Sequence, residues 1–240
     1  MHASRIWSGV YFCSVALLVA LILYPVRSGP VRLLMVGSLV VVVVGACFWI
    51  RNRQARAVAF CLVLLASLAM AVLPGRAAHQ AQLQAQYVQA LRSYEGDNYV
   101  WGGENSRGVD CSGIVRAAWI DAQVHLGIKT ANPRLMRSAL STWWFDASAK
   151  ELSLGFSGRT RELHSAKSIR ANQDDQLLPG DFAIVARGVH ALAYLGDHTW
   201  IEADPGAGKV IVVRTSDKNT WLDSSAVFVR WRDLDETQNR

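Results

Sequence analysis

Three long apolar runs occupy the first third of the chain. They cover residues 6–24, 33–50 and 57–73, and no aspartate or glutamate precedes residue 74. Each run is about as long as a helix that crosses a hydrocarbon layer of roughly 30 Å at about 1.5 Å per residue. The pattern therefore predicts three transmembrane helices, which form an anchor over residues 1–74.

Beyond this anchor the spacing of apolar positions changes twice. Residues 77–94 carry an apolar stripe at helical spacing (Leu83, Tyr87, Leu91, Tyr94), and residues 111–123 are also helical in spacing. The first of these predicts a tether helix that packs on the domain that follows. From residue 181, short apolar runs of period two alternate with turn residues and predict five strands: 181–186, 189–195, 199–203, 209–214 and 226–231.

The segment between these two patterns, residues 125–178, is less regular. Residues 133–145 are compatible with a helix, whereas residues 154–168 are polar and contain glycine. We expect either a lid or substrate-facing insertion, or a peripheral loop packed by its own aromatic side chains. Helices followed by an antiparallel meander predict one α+β domain over residues 75–240, including the tether helix.

Composition and charge separate the two parts of the chain. The mean hydropathy is +0.16 and the pI is 9.4, but six of the 25 basic residues precede residue 74. The remainder is formally neutral, with 19 basic and 19 acidic residues. A nucleic-acid partner is therefore not expected, since the outer part has no basic block.

The arginines of the anchor also predict its orientation. Four lie on one side of the predicted spans (Arg5, Arg51, Arg53, Arg56) and three on the other (Arg27, Arg32, Arg76). The positive-inside rule places the larger group in the cytoplasm, so the domain is predicted to face outward. The alternative, a cleaved signal peptide, is disfavoured because the first run is long and lacks a good cleavage site.

Cys111 is the one cysteine of four that lies outside an apolar run. A free cysteine is often a small buried hydrophobe, but the neighbours of Cys111 favour another interpretation. Gly102 and Gly103 permit a sharp turn or a close approach, and Asp110 is a favoured N-cap residue. The thiol is thus predicted on the first turn of a helix, where the helix dipole favours the thiolate, as in a nucleophile.

A nucleophilic thiol needs a base, and His190 is the histidine within an apolar strand. Register decides whether an acid can orient its ring. A hairpin loop with an odd number of residues places His190 opposite Glu202 on one face, whereas a two-residue turn at Gly196 and Asp197 sends Glu202 to the other face. Asp204 is the fallback acid. A zinc site of Cys111, His190 and His198 is a further alternative, although no close-spaced ligand pair supports it.

Five segments in this order resemble the NlpC-type papain-like peptidases that cleave bacterial cell-wall peptides. They are Tyr99-Val-Trp-Gly-Gly, Asp110-Cys-Ser-Gly, Leu178-Pro-Gly-Asp, His190-Ala-Leu-Ala-Tyr-Leu-Gly and Trp200-Ile-Glu-Ala. The resemblance covers nearly all of the outer domain and implies a papain-like fold, a helix layer on an antiparallel sheet, with no cofactor and no metal.

The resemblance also implies roles for individual residues. Cys111 would be the nucleophile, His190 the base and Glu202 the group that orients the imidazole, while Tyr99 and the Cys111 backbone N–H would bind the oxyanion. Asp110 and Ser112 would recognise the stem peptide, or only cap the helix, and Trp101 would line the cleft or fill core. Two features depart from the family pattern: the orienting residue is commonly His, Asn or Gln, and the segment 125–178 is long.

The function that this resemblance implies is a membrane-anchored cysteine hydrolase of peptidoglycan stem peptides, of the D,L-endopeptidase type. It would lie in the cytoplasmic (inner) membrane of a bacterium as a multi-pass protein, with its domain in the periplasm or outside the cell. The alternatives are an amidase or acyltransferase with the same triad, or a non-catalytic wall-binding module. The sequence does not indicate an oligomeric state.

Overall fold

The computed structural model describes residues 2–76, 79–172 and 177–235, and for residues 2–6 the backbone alone. Three apolar helices come first: α1 (His2–Leu23), α2 (Gly29–Trp49) and α3 (Arg53–Val72). In length and composition, α2 and α3 are able to cross a membrane, whereas the described apolar part of α1, Trp7–Leu23, is shorter. Among the described residues, two helices are therefore candidate spans where the sequence predicted three, although α1 itself has 22 residues.

Four further helices belong to the remainder of the chain: α4 (Gln80–Ser93), α5 (Cys111–Lys129), α6 (Pro133–Trp144) and α7 (Ala149–Ser153). Helix α4 is the predicted tether helix and buries Leu83, Tyr87 and Leu91 of the predicted stripe. Its predicted start at residue 77 lies outside the described residues. Helix α5 begins at Cys111 as predicted but extends six residues past the predicted end at Gln123.

A six-stranded antiparallel sheet follows, in the spatial order β3-β8-β4-β5-β6-β7. Its strands are β3 (Thr160–Ala166), β4 (Phe182–Val185), β5 (His190–Gly196), β6 (Thr199–Asp204), β7 (Lys209–Arg214) and β8 (Ala226–Trp231). A two-stranded ribbon, β1 (Glu104–Asn105) and β2 (Gly108–Val109), precedes α5. The predicted α+β architecture is confirmed.

Edge strand β3 is the longest of the elements that the sequence pattern missed, which also include α7, β1 and β2. It lies in the stretch 154–168 that was predicted as irregular, and it pairs with β8. Its register shifts between Glu162 and His164, and such a shift breaks the alternation by which a strand is recognised. The segment 125–178 is therefore in part an extension of the sheet.

Aromatic packing fixes α5 against the sheet. The rings of Trp119 on α5 and Trp231 on β8 stack with centroids 4.9 Å apart, and Tyr87 of α4 meets Trp119 edge-on at 5.1 Å. All three side chains are buried. Large buried rings in contact contribute strongly to a core, so this cluster holds α4, α5 and the sheet together and positions the start of α5 beside β5.

Candidate active site

Cys111 lies at the start of α5, against the first residues of β5. The Asp110 side chain accepts a hydrogen bond from the Gly113 N–H at 2.6 Å and so caps the helix. The Cys111 Sγ lies 4.0 Å from the carbonyl oxygen of Val189, the residue before His190. The thiol retains 7% exposure. The structure thus brings the predicted nucleophile to the strand end that carries the predicted base.

The His190 ring contacts a buried carboxylate and a half-buried indole. Its Nε2 lies 2.5 Å from Glu202 Oε2, and its ring stacks on Trp221 with centroids 4.3 Å apart. Glu202, with 0% exposure, accepts a second hydrogen bond from Asn219 Nδ2 at 2.6 Å through its Oε1. Because Nε2 faces the carboxylate, Nδ1 is the ring nitrogen that can take a proton from a thiol.

The pairing of β5 with β6 differs from both predicted registers. Asp197 and His198 form a two-residue turn with positive φ, and Gly196 pairs with Thr199. The register then shifts by one residue, so that Tyr194 pairs with Trp200. This shift restores the parity of the odd-loop prediction, and His190 and Glu202 share a face as diagonal neighbours. The predicted direct pairing is wrong, but the predicted contact forms.

Tyr99 and Trp101 lie on the chain segment that leads into α5. Burial, with smaller contributions from the charges of Cys111, Asp110 and Asp204, raises the pKa of Tyr99 to about 12. The Tyr99 phenol therefore stays protonated at neutral pH and can donate a hydrogen bond near Cys111. Trp101 is 81% exposed, so the interpretation of this side chain as core filling is wrong.

Asp110 and Ser112 take part in a local hydrogen-bond network. Asp110 Oδ1 also accepts from Ser112 Oγ at 3.0 Å, and Asp110 Oδ2 accepts from the Gly102 N–H at 2.8 Å. These bonds confirm the capping interpretation of Asp110. They also join the Gly102 turn to the first turn of α5, which carries Cys111.

Burial makes the resting thiol a weak acid. Burial, together with the charge of Asp110, raises the pKa of Cys111 to about 12, and backbone N–H groups at Ala191, Ser112 and Cys111 offset only part of the rise. The expectation of a thiolate favoured by the helix dipole is therefore wrong for the resting state, because desolvation outweighs the dipole. The proton must leave Cys111 for a neighbouring base when the thiol reacts.

Two residues near the imidazole, Asn219 and Trp221, were missed by the sequence analysis. Asn219 and Trp221 contact Glu202 and His190 from an irregular segment after β7, where no periodicity points to a site. Asp204, the fallback acid, accepts instead from the N–H groups of Gly206 and Ala207. Within the described residues, no three metal-ligating side chains form a cluster.

A sequence profile of the NlpC/P60 family matches residues 96–230, which is more than half of the chain. The chain belongs to this family, whose members are cysteine peptidases or hydrolases that act on peptidoglycan. The match contains all five segments on which the resemblance was based. Among curated proteins, none matches the chain.

Solved structures of the same family resemble this chain at low sequence identity. The P60 domain of an antigen from M. avium subspecies paratuberculosis has 18% identity and a TM-score of 0.42, covering 64% of this chain and 97% of that one. The peptidoglycan hydrolase RipB of Mycobacterium tuberculosis has 20% identity and a TM-score of 0.40, with 74% and 85% covered. An NlpC/P60 family protein of Bacillus cereus has 15% identity and a TM-score of 0.41, with 66% and 41% covered.

Proposed function

We propose that this protein is a membrane-anchored cysteine hydrolase that cleaves peptidoglycan stem peptides as a D,L-endopeptidase. The observation that carries the proposal is the buried contact of His190 Nε2 with Glu202, beside a thiol at the start of α5. A thiol, an imidazole and a group that orients the imidazole are the parts that covalent acyl transfer requires. The family assignment supports peptidoglycan as the substrate.

In the proposed reaction, the Cys111 Sγ attacks the carbonyl carbon of the scissile amide while its proton passes to His190 Nδ1. The oxyanion accepts hydrogen bonds from the Cys111 backbone N–H and the Tyr99 hydroxyl. The imidazolium then protonates the departing amine, which leaves a thioester on Cys111. Water, deprotonated by His190, attacks the thioester and releases the acid, and the thiol regains its proton.

Glu202 gives this mechanism its electrostatic character. A carboxylate at Nε2 stabilises the imidazolium by charge, which a neutral amide or imidazole in the same position does not. The family commonly has His, Asn or Gln at this position. The carboxylate of Glu202 is compatible with activity because it also accepts from the imidazole and stabilises its charged form. It also compensates in part for the raised pKa of Cys111, because it favours transfer of the proton to the ring.

The substrate-binding roles are assigned to the surface around the thiol. Trp101, which lies ten residues before Cys111, is 81% exposed, and Val189, whose carbonyl oxygen lies 4.0 Å from the Cys111 Sγ, is 64% exposed. They would line the cleft for the stem peptide. Asp110 and Ser112 would recognise the peptide near its amino end, in addition to their capping bonds.

Membrane anchoring is supported by how little of the apolar helices is buried. Of the 18 most apolar consecutive residues of each helix, none is buried in α3 and 17% are buried in α2. The core helix of a soluble protein, in contrast, buries its apolar face. We propose that residues 1–74 form a multi-pass anchor in the cytoplasmic membrane, with residues 75–240 as the outward-facing domain. This assigns α1 as a third span and retains it in the mature protein.

Digestion of purified sacculi by the full chain in detergent micelles tests the activity, with Cys111→Ala as the control. We expect soluble muropeptides with a new free amino group on the diamino acid, and none from Cys111→Ala. A product with a different new terminus would indicate the amidase or acyltransferase alternative.

The burial of Cys111 favours one alternative from another class, a non-catalytic wall-binding module. That alternative predicts sacculus binding without hydrolysis, unchanged by Cys111→Ser. Hydrolysis by the wild-type chain that is lost in Cys111→Ala would exclude it.

A further inference from the structure

The connection between α1 and α2 pairs with the turn that precedes the active site. Val26 and Gly103 form an antiparallel bridge, in which the Arg27 N–H donates to the Gly102 carbonyl at 3.3 Å and the Glu104 N–H donates to the Pro25 carbonyl at 3.0 Å. The connection therefore forms an isolated bridge beside the β1–β2 ribbon. The bridge joins the apolar helices to the domain through two residues that are 77 positions apart in sequence.

A buried charge cluster reinforces the same contact. Arg32, in the first turn of α2, donates through Nη2 to both carboxylate oxygens of Glu104, at 2.9 and 3.0 Å. Arg116 of α5 donates to Glu104 Oε1 and to Asp146. The side chains of Arg32, Glu104 and Arg116 are 3%, 7% and 1% exposed. One acid of the domain is thus shared by an arginine of the anchor and an arginine of the nucleophile's helix.

The contact continues to the nucleophile through two hydrogen bonds. The Gly102 N–H donates to Asp110 Oδ2 at 2.8 Å, and the Gly103 carbonyl accepts from the Asp110 N–H at 3.1 Å. Asp110 caps α5 immediately before Cys111. The packing here is tight, because a Cβ at Gly113 would lie 2.1 Å from the Gly103 carbonyl oxygen. A displacement of this turn would therefore move the start of α5.

We infer that the α1–α2 connection supports the turn that precedes the active site and that Arg32 is a positioning residue, which acts through Glu104 and the Gly102–Gly103 turn on Cys111. The inference rests on the proposed hydrolase function and adds to it a role for the anchor beyond attachment. It also places the α1–α2 connection on the same side of the membrane as the domain. The buried pair of Arg32 and Glu104 explains why α2 carries an arginine at its start, on the side of the membrane where the domain lies.

The test uses the full chain in lipid nanodiscs and compares Arg32→Met and Arg32→Lys with Arg51→Met. Arg51 is exposed and belongs to the α2–α3 connection, so it is a matched control. We expect Arg32→Met to lower kcat by about 10- to 100-fold with KM changed by less than about threefold, because misplacement of reacting groups acts mainly on the chemical step. Arg32→Lys should recover part of kcat, and Arg51→Met should match the wild type.

Hydrogen–deuterium exchange supplies a readout that does not depend on hydrolysis. We expect Arg32→Met to speed exchange of the Arg27 and Glu104 amides at least about tenfold, with strands β4, β5 and β8 unchanged. Asn105→Ala, which removes a bond to the Tyr24 carbonyl, should have a smaller effect at the same amides.

The inference is overturned if Arg32→Met matches Arg51→Met in both kcat and exchange, or if exchange rises equally throughout the sheet, which would indicate general destabilisation. If the wild-type chain hydrolyses nothing, the proposed function fails, while the exchange result still decides whether the connection is docked.

Discussion

Two glutamates with buried side chains, Glu104 and Glu202, have different partners. Glu104 faces two guanidinium groups, those of Arg32 and Arg116. Glu202 faces one imidazole and one amide, those of His190 and Asn219. The charge of Glu104 is compensated in every state, whereas that of Glu202 is fully compensated only when the ring is protonated. We conclude that the first carboxylate fixes geometry and the second is available to chemistry.

The largest effect should come from neutralising the structural carboxylate. Glu104→Gln leaves two buried guanidinium groups with only the exposed carboxylate of Asp146 as a counter-ion, and breaking a buried ion pair typically costs about 3–5 kcal/mol. We expect the free energy of unfolding to fall by about that amount, measured by denaturant titration of the detergent-solubilised chain. Glu95→Gln, at an exposed position, is the control, and an equal effect of the two substitutions would refute the structural assignment.

The corresponding change at the other carboxylate should act on rate and much less on stability. Glu202→Gln keeps the shape and can still accept from Nε2–H, but it no longer stabilises the imidazolium by charge. We expect kcat to fall by about 10- to 100-fold and the unfolding midpoint to change little relative to Glu104→Gln. A loss of stability as large as that of Glu104→Gln would remove the distinction between the two sites.

The raised pKa of Cys111 predicts that the thiol reacts slowly with a small alkylating agent at neutral pH and faster at alkaline pH. At pH 7 the thiolate fraction is below that of an ordinary cysteine, and it still increases as the pH rises above 9 toward about 12. We expect the rate of iodoacetamide modification to climb throughout this range, in a chain with Cys13, Cys47 and Cys61 replaced by alanine. A fast rate with a plateau below pH 7 would instead indicate a preformed thiolate–imidazolium pair.

The smallest effect should come from the ring that stacks on the imidazole. Trp221→Leu removes a stacking contact with His190 at 4.3 Å while an apolar side chain remains. Such aromatic contacts contribute about 1 kcal/mol, so we expect kcat to fall about two- to fivefold with KM nearly unchanged. Steady-state kinetics on a stem peptide measure this, and a loss of 100-fold or more would assign Trp221 a larger part in the site than positioning the ring.

The fold was predictable where a pattern is local and regular. Strands β7 and β8 have the predicted bounds, because alternating apolar residues between turns define a half-buried strand. Strand β3 was not predictable in this way, since it is polar and its register shifts between Glu162 and His164. The third span was predicted from the apolar run 6–24, and the described apolar part of that helix covers Trp7–Leu23.

The site was predictable in its participants more than in its geometry. The order of Cys111, His190 and Glu202 in the chain could be seen in the sequence, but the route by which Glu202 reaches the ring depends on a register shift after Tyr194. The partnership of Glu104 with Arg32 joins residues 72 positions apart. No local pattern encodes such a contact, because it depends on how the start of α2 packs against the β1–β2 ribbon.

The most direct measurement of the central proposal is the mass of the chain after rapid acid quenching during turnover of a stem peptide. We expect a species heavier than the free chain by the acyl part of the substrate, with the added mass on the peptide that contains Cys111 and absent from Cys111→Ala and His190→Ala. Hydrolysis that continues in Cys111→Ala, or turnover with the added mass on another residue, would contradict the account.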